Sequence, residues 1–325
     1  MTHAIRIHAT GGAEALLWEE VEVGAPGPGE ALVRHEAVGL NFIDVYHRTG
    51  LYPLPALPAT LGMEGAGVVQ AVGEGVNAVE VGDRVAYASP PVGAYAEERL
   101  ILADRLVKLP DEISTELAAA MMLQGMTAQY LLRSTFRVEP GQTLLLHAAA
   151  GGVGLIACQW AKHLGATVIG TVGSEAKAEL AREHGCDHTI LYRDEDFVAR
   201  VKEITDGHGV DVVYDSVGKD TFLPSLDCLR PRGMIVNFGN ASGPAPALDV
   251  LLLSQKGSLF VTRPTLMTYT ASREDLVAAA QDLFDVVGRG AVRIEVNQRY
   301  PLSETAQAHR DLEARKTTGS TILLP

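Results

Sequence analysis

The chain has 325 residues, of which 47% are hydrophobic and 21% charged, and a formal net charge of −13. That length supports two domains with full cores, and the acidic balance argues against a nucleic-acid surface, which needs a basic face. Cys158, Cys186 and Cys228 lie far apart, no apolar stretch reaches membrane-spanning length, and Met1–Ala9 lacks a signal-peptide core, so the expectation is a cytoplasmic protein outside the membrane.

The N-terminal part, to about Leu109, has short apolar runs: Ala4–His8, Leu16–Val23, Glu30–Leu40, Gly65–Val72, Arg84–Ala88 and Tyr95–Leu102. Dense Gly and Pro punctuation between them predicts antiparallel strands in a barrel-like or sandwich domain. Gly65-Ala66-Gly67-Val68-Val69 predicts a strand lying close against another backbone. Asn41, Tyr46 and Tyr52 put polar tips on apolar surroundings, which suits a pocket wall beside a nicotinamide and an aromatic substrate; the alternative is half-buried aromatics in a Pro-rich loop. From Ser114 the pattern turns helical, and Gln124-Gly125-Met126-Thr127 interrupts it. A glycine there marks a junction or a close ligand, with Thr127 opening the next helix near a cofactor.

Thr143–Leu146 then reads as a buried parallel strand, Ala148–Gly154 as a tight small-residue turn, Leu155–Leu164 as a helix stopped by Gly165, and Ala166–Val172 as the next strand. Alternation continues through helices at Glu175–His184, Asp194–Thr205 and Asp220–Leu229 and strands at Asp187–Leu191, Val210–Asp215 and Gly233–Phe238. The pattern predicts a doubly wound parallel sheet, with ligands at the strand carboxyl ends. Ser258–Arg263 is a further β-rich run. Ser272–Gly288 is an amphipathic helix, and Val292–Val296, a Ser303–Leu312 helix and Thr321–Leu324 close the chain. The fold class is α/β, with a nucleotide domain at residues 125–264 inserted into a discontinuous domain made of residues 1–124 and 265–325.

The glycine-rich turn fits the dinucleotide pattern with Ala149 in the first place, then Gly151 and Gly154. Gly151 lets a pyrophosphate approach the backbone, Gly154 lets the helix lie tight on the strand, and the free N–H groups, those of Gly152 and Val153 among them, face the phosphates. The alternative is an ordinary βα turn that binds nothing. NAD-specific folds commonly place an acid about 20 residues on, to hold the ribose hydroxyls. Here the strand tip reads Thr171-Val172-Gly173-Ser174, and Glu175 begins the following helix. Gly173, Ser174, Lys177 and Tyr192 supply the donors and the cation that a 2′-phosphate wants, which favours NADP(H); Lys177 taken alone also reads as a solvated helix lysine. Ser216, Phe238 and Asn240 fall on the same carboxyl edge, or are plain loop residues.

Asn41-Phe42-Ile43-Asp44, Gly50-Leu51-Tyr52-Pro53, Gly82-Asp83-Arg84-Val85, His147–Gly154 and Tyr214–Gly218 together resemble the NADPH:quinone oxidoreductases, the zeta-crystallin-like branch of the medium-chain dehydrogenase/reductase superfamily, essentially end to end. The resemblance implies a GroES-like antiparallel β domain, a Rossmann domain, NADPH, and a homodimer formed through the last Rossmann strand. It also implies cofactor contacts at Asn41, Tyr46, Thr127, Gly152, Val153, Gly173, Ser174, Lys177, Tyr192, Ser216, Phe238 and Arg263, and a substrate cleft at Tyr46 and Tyr52. Gln124 stands where some relatives carry Lys. Zinc-dependent members carry Gly-His-Glu; here the triplet is Gly62-Met63-Glu64, and no cysteine lies in the N-terminal domain. A thioether is a poor zinc ligand beside imidazole, so no metal is expected.

Without zinc to polarise an alcohol, the substrate must accept hydride readily. The expectation is a quinone held between the two domains, reduced mainly by positioning, with Asn41, Tyr46 and Tyr52 as the catalytic candidates and water or a tyrosine as the proton source. The alternatives are an NADPH-dependent enone or alkenal reductase, and a non-catalytic NADPH-binding protein of the crystallin or RNA-binding kind.

Overall fold

The computed structural model describes residues 2–325. The chain begins with β1 (Thr2–Ile7), β2 (Leu17–Val21) and β3 (Glu30–Leu40), then α1 (Phe42–Thr49), β4 (Ala59–Thr60), β5 (Glu64–Val72), β6 (Arg84–Ala88), β7 (Glu98–Leu102), β8 (Val107–Lys108) and α2 (Thr115–Ala119). After α3 (Met122–Tyr130) come β9 (Thr143–His147), α4 (Gly152–His163), β10 (Thr167–Val172), α5 (Glu175–Glu183), β11 (His188–Leu191), α6 (Phe197–Ile204), β12 (Val210–Asp215), α7 (Phe222–Ser225), β13 (Leu229–Asn237), α8 (Leu251–Gln255), β14 (Phe260–Thr262) and α9 (Leu266–Tyr269). The chain ends with α10 (Arg273–Gly288), β15 (Val296–Pro301), α11 (Thr305–Glu313) and β16 (Ser320–Leu324).

Two compact units result. One holds the residues up to Met126 together with Thr270–Gly288 and Ile294–Pro325; the other holds Thr127–Tyr269 and Arg289–Arg293. Among the described residues, the first unit is built on a mixed sheet in the order β15-β16-β3-β5-β6-β8, with β7 also pairing β3, and on a three-stranded sheet β2-β1-β4. Ile5, Val33, Val38, Leu61, Val69, Val85, Tyr87, Tyr95, Ile101 and Leu323 fill its core. Gly67 shows the expected close approach of β5 to its neighbour: a Cβ there would lie 1.9 Å from the Arg34 carbonyl oxygen of β3.

Among the described residues, the second unit holds a parallel sheet in the order β11-β10-β9-β12-β13-β14. That is the doubly wound order in which the chain reverses direction beside β9, and ligands bind outside the strand carboxyl ends there. Leu145, Ile169, Ile190, Val213 and Ile235 form its core. The short apolar strands are buried on both faces because helices cover the sheet.

Several elements differ from the sequence reading. Asn41–Tyr52 is no Pro-rich loop at its start: Asn41 caps α1, and Asp44 sits in the first helical turn. Gln124–Thr127 does not break the helix, since α3 runs through it and the break falls at Ala120–Met121. Gly125 is there for packing, because a Cβ would come within 2.5 Å of the buried Leu283 side chain of α10. The expected Asp220–Leu229 helix shortens to α7 and one 3-10 turn, Leu226–Cys228, because the chain must already enter β13 at Leu229. The last Ile- and Val-containing run is displaced: the strand starts at Val296 and pairs with β16.

Candidate functional site

In the second unit the turn after β9 is drawn tight by Ala148, whose φ is +57°. Gly151 caps α4. A Cβ on Gly154 would lie 2.4 Å from the Ala148 oxygen and 2.6 Å from the Ala149 oxygen, so only glycine lets the helix begin against the strand. Gly151 is different. A Cβ there would meet only the Ala148 oxygen, at 3.3 Å, with nothing else of the described residues within 4 Å. No acidic residue stands in the first turn of α4. Free N–H groups, the positive helix end and an open glycine face fit the phosphates of a dinucleotide.

At the tip of β10 the structure gathers the residues that the sequence pairs with a 2′-phosphate. A Cβ on Gly173 would meet the Tyr192 hydroxyl at 2.7 Å, and Ser174 caps α5 by accepting from the Lys177 N–H at 3.4 Å. Glu175 turns away and accepts from Arg182 at 2.5 Å. Its carboxylate is committed to a cation, which leaves the tip without an acid for a ribose diol.

Along the same edge, Asp215 organises the loops after β12 and β13. It is wholly buried and accepts from the N–H groups of Val217 (2.8 Å) and Gly218 (3.1 Å) and from the Thr221 hydroxyl (2.7 Å). The Phe238 N–H reaches the Asp215 carbonyl at 2.8 Å, and Arg263 donates to the Asn237 carbonyl at 2.8 Å. With its amide oxygen toward Arg263, Asn240 accepts from that guanidinium at 3.0 Å. Ser216, Phe238, Asn240 and Arg263 are thus held by one small network, and Asp215 and Asn237 are the residues that the sequence reading missed in it. An aspartate closing an apolar strand was the available signal. Thr127 lies buried on α3. His147 is an internal tie, bonded to Thr171 at 2.9 Å and Ser225 at 2.8 Å, and burial holds its pKa below the usual histidine value.

In the first unit Tyr46 and Tyr52 meet edge to face, with ring centroids 5.2 Å apart, and the Tyr52 N–H donates to the Tyr46 carbonyl at 3.0 Å. Tyr46 is buried and Tyr52 half-buried. Asn41 lies beneath them in sequence and inside a polar cluster in space. Its amide nitrogen donates to Glu64 at 2.7 Å, its amide oxygen accepts from Gln124 at 3.0 Å, and its backbone N–H donates to Asp44 at 2.9 Å. Asp44 also accepts from the Tyr95 hydroxyl at 2.8 Å, which meets His309 at 3.1 Å. His309 in turn contacts Arg48 at 3.1 Å, and Arg48 reaches Glu313 at 2.8 Å. Burial lifts the Asp44 carboxyl to about 7 and the Glu64 carboxyl to about 8, against the hydrogen bonds that favour their ionised forms. Burial also lowers His309 to about 3 and His35 to about 4, so both rings are neutral. This cluster has no periodic sequence signature; only the polar residues within apolar runs hinted at it.

The zinc position of related dehydrogenases is not built here. Met63 precedes Glu64, and among the described residues no group of three or more His, Cys, Asp or Glu is arranged to hold a metal ion. The donor set does not fit zinc.

The fold and the glycine cradle define a two-unit, nucleotide-dependent dehydrogenase or reductase. Residues 27–111 match the alcohol dehydrogenase GroES-like domain and residues 152–285 the zinc-binding dehydrogenase domain. The chain is 57% identical, over the full length of both proteins, to a quinone oxidoreductase of Pseudomonas aeruginosa. It is 50% identical to a 2-haloacrylate reductase of a Burkholderia species, across 100% of this chain and 99% of that one. The crystal structure of an Escherichia coli quinone oxidoreductase complexed with NADPH superposes with a TM-score of 0.98 at 50% identity, covering 99% of this chain and 100% of that one. The chain belongs to the quinone oxidoreductase family of the medium-chain dehydrogenase/reductase superfamily.

The buried carboxyls set a pH dependence of stability. A raised folded-state pKa means that the native state binds more protons, so the stabilisation is complete below the unfolded value and is lost as pH rises through the folded one. The window runs from about 4 to about 8 for Asp44 and Glu64 together. His35 and His309 oppose this only below their ordinary value of 6.5. The urea midpoint should therefore fall between pH 6.5 and about 8.5, and Glu64→Gln should flatten that fall; an equal slope in the variant would remove Glu64 as its source.

Proposed function

We propose that this protein is an NADPH-dependent quinone reductase that works without zinc. The observation that carries the reading is the β10 tip, where Gly173 lies against the Tyr192 hydroxyl, Ser174 caps α5 and Glu175 pairs with Arg182, in a chain that matches a quinone oxidoreductase over its whole length. Gly152, Val153 and Gly154 receive the pyrophosphate on backbone N–H groups at the start of α4, while Ala149 and Gly151, whose own N–H groups go to the Thr171 and Ala148 carbonyls, shape the turn against it. Lys177 supplies the charge for the 2′-phosphate, and Ser216, Phe238, Asn240 and Arg263 bound the far side of the nucleotide. Asn41, Tyr46 and Thr127 face the nicotinamide end. NADPH, when bound, supplies a hydride. Tyr46 and Tyr52 wall the acceptor and keep water from its ring, and a tyrosine hydroxyl returns a proton to the reduced oxygen. The match to a 2-haloacrylate reductase supports activated alkenes as a second acceptor class. The three cysteines are buried and free, which supports a reducing, cytoplasmic setting.

We also read β14 as the seat of a homodimer. It ends the parallel sheet, pairs only with β13 among the described strands, and leaves Phe260 56% and Val261 36% exposed. An apolar strand edge of this kind is a template for a second copy about a two-fold axis.

NADPH oxidation with para-benzoquinone should proceed at the same rate with and without a strong chelator. Lys177→Ala should raise KM for NADPH about tenfold and leave KM for NADH little changed. Absence of turnover with every quinone and enone offered, despite NADPH binding, would end the reading. The Tyr46→Phe/Tyr52→Phe double variant should lose about a hundredfold in kcat/KM, and an unchanged value would remove both phenols from the proton step. Phe260→Asp should convert the dimer to a monomer by light scattering; an unaltered mass would place the interface elsewhere.

A further inference from the structure

Four side chains of the first unit form a line closed to water. Ser320 donates to Gln124 at 2.7 Å, Gln124 to Asn41 at 3.0 Å, and Asn41 to Glu64 at 2.7 Å. The Leu123 N–H donates to the other Glu64 oxygen at 2.8 Å. All four side chains are at most 8% exposed. Glu64 lies so flat on β3 that a Cβ on Gly39 would stand 2.2 Å from its Oε2. Every donor in the line points toward Glu64, which is the arrangement of an ionised carboxylate. The two middle members are amides, each able to present oxygen or nitrogen to either neighbour. If Glu64 takes up a proton on Oε2, it becomes the donor. The Asn41 amide then turns its oxygen to Glu64 and its nitrogen to Gln124, and Gln124 turns its nitrogen to Ser320. No hydrogen bond of the line is lost, only reversed; the capping contact of the Asn41 side chain with the Asp44 N–H is what the reversal gives up.

We propose that Glu64, Gln124 and Ser320 are positioning residues that set, through this reversible line, which amide group Asn41 offers to a bound ligand. The Asn41 amide nitrogen keeps a second N–H beyond the line, while the second lone pair of its oxygen faces the Asp44 N–H in the capping box of α1 until the amide turns. Reversal exchanges the two. With Glu64 ionised the donor is presented on the Glu64 side; with Glu64 protonated the acceptor takes that place. The proposal rests on the reading that Asn41 meets the nicotinamide end of the cofactor. Gln124 is what makes the line reversible, because a lysine there only donates and holds the Asn41 oxygen permanently toward itself.

Other ionisable groups around Glu64 are few. Asp44 of α1 is the nearest acid, Tyr87 of β6 and Tyr95 are buried phenols with raised pKa, and His35 of β3 is occupied by Tyr87 and the Ala96 carbonyl. Arg99 of β7 reaches this region only through the Tyr87 hydroxyl and ring, and Glu116 of α2 is turned to Arg299.

Two variants lock the line in opposite directions. In Glu64→Gln the Leu123 N–H pins the new amide oxygen, so its nitrogen must donate to Asn41, as the protonated acid would. Gln124→Lys holds the original direction. The first measurement is the side-chain amide resonance of Asn41 in cofactor-free protein with isotope-labelled asparagine, followed from about pH 6 to about pH 9. It should titrate in the wild type and stay fixed in Glu64→Gln. A resonance that does not titrate in the wild type overturns the line whatever the kinetics show, and this needs no variant to fold. A titration that survives in Glu64→Gln assigns the effect to Asp44 and also overturns it. The second measurement is KM for NADPH over the same range, which should vary about fivefold in the wild type and less than about twofold in either locked variant, with kcat moving less. A resonance that titrates while KM for NADPH is flat in all three proteins overturns the positioning role and with it the placement of Asn41 at the cofactor; failure of NADPH or quinone turnover itself is read separately from the activity assay.

Discussion

Two carboxyl groups, Asp44 and Glu64, lie wholly out of water in the first unit, and much of that unit is arranged around keeping them there. A carboxylate in such a place costs several kcal/mol unless hydrogen bonds replace its hydration. Asp44 receives the Asn41 N–H and the Tyr95 hydroxyl, and Glu64 receives the Asn41 amide and the Leu123 N–H. These donors come from α1, α3 and the segment before β7. The bonds to Glu64 and to Asp44 Oδ2 therefore fix the start of α1, the helix that carries Tyr46, while Asp44 Oδ1 stays buried without a partner among the described residues, in keeping with its raised pKa. In zinc-dependent relatives an imidazole would precede Glu64; here the thioether of Met63 is 3% exposed and belongs to the core. Glu64 accepts instead from the Asn41 amide and the Leu123 N–H.

The second unit solves its problem with backbone instead of side chains. Ala148 at positive φ, Gly154 against two carbonyl oxygens and the uncrowded Gly151 bring a helix N-terminus to the end of β9. That site has no intrinsic preference between the two nicotinamide nucleotides. One strand away, Arg182 donates to Glu175 and the Ser174 hydroxyl accepts from the Lys177 N–H at the start of α5, the features on which the proposed preference for NADPH rests. An uncompensated Glu175 at that place would repel a 2′-phosphate at close range. The Glu175–Arg182 pair is exposed and adds little to stability, so its consequence is the local charge pattern.

What was legible in the sequence follows from locality. The βαβ turn, the Ser114 cap, the close glycine strand of β5 and the buried face of α10 each depend on residues a few positions apart, and each was read correctly. The helix break was misplaced because Gly125 answers to Leu283, more than a hundred residues away in the chain, and not to its own helix. The sequence assigns no element to Phe42–Thr49, leaving a pocket wall or a Pro-rich loop open, because this short stretch begins with Asn41 and an aromatic and ends near prolines, while the bonds that hold it come from Glu64 and Tyr95. The Asp215 network was missed for the same reason: its acceptor is local, but its partners on β13 follow a whole helix later.

The thioether of Met63 beside Glu64 is a poor zinc donor, and that donor set has a consequence for chemistry. A site without a metal stabilises little negative charge on an alkoxide, so it favours acceptors whose reduced oxygen or carbon is already a stable anion. Quinones and activated alkenes share that property, and relatives bearing the names of both classes match this chain over its full length. What then discriminates acceptors is not charge but the shape and polarity of a few side chains. Under the proposed reading those side chains are Tyr46 and Tyr52, whose rings meet edge to face and which are tied by the bond from the Tyr52 N–H to the Tyr46 carbonyl. A change in acceptor preference within this architecture therefore needs no new catalytic group. It needs only a different filling of the positions that surround those rings, on a frame whose rigidity is set by the polar core below.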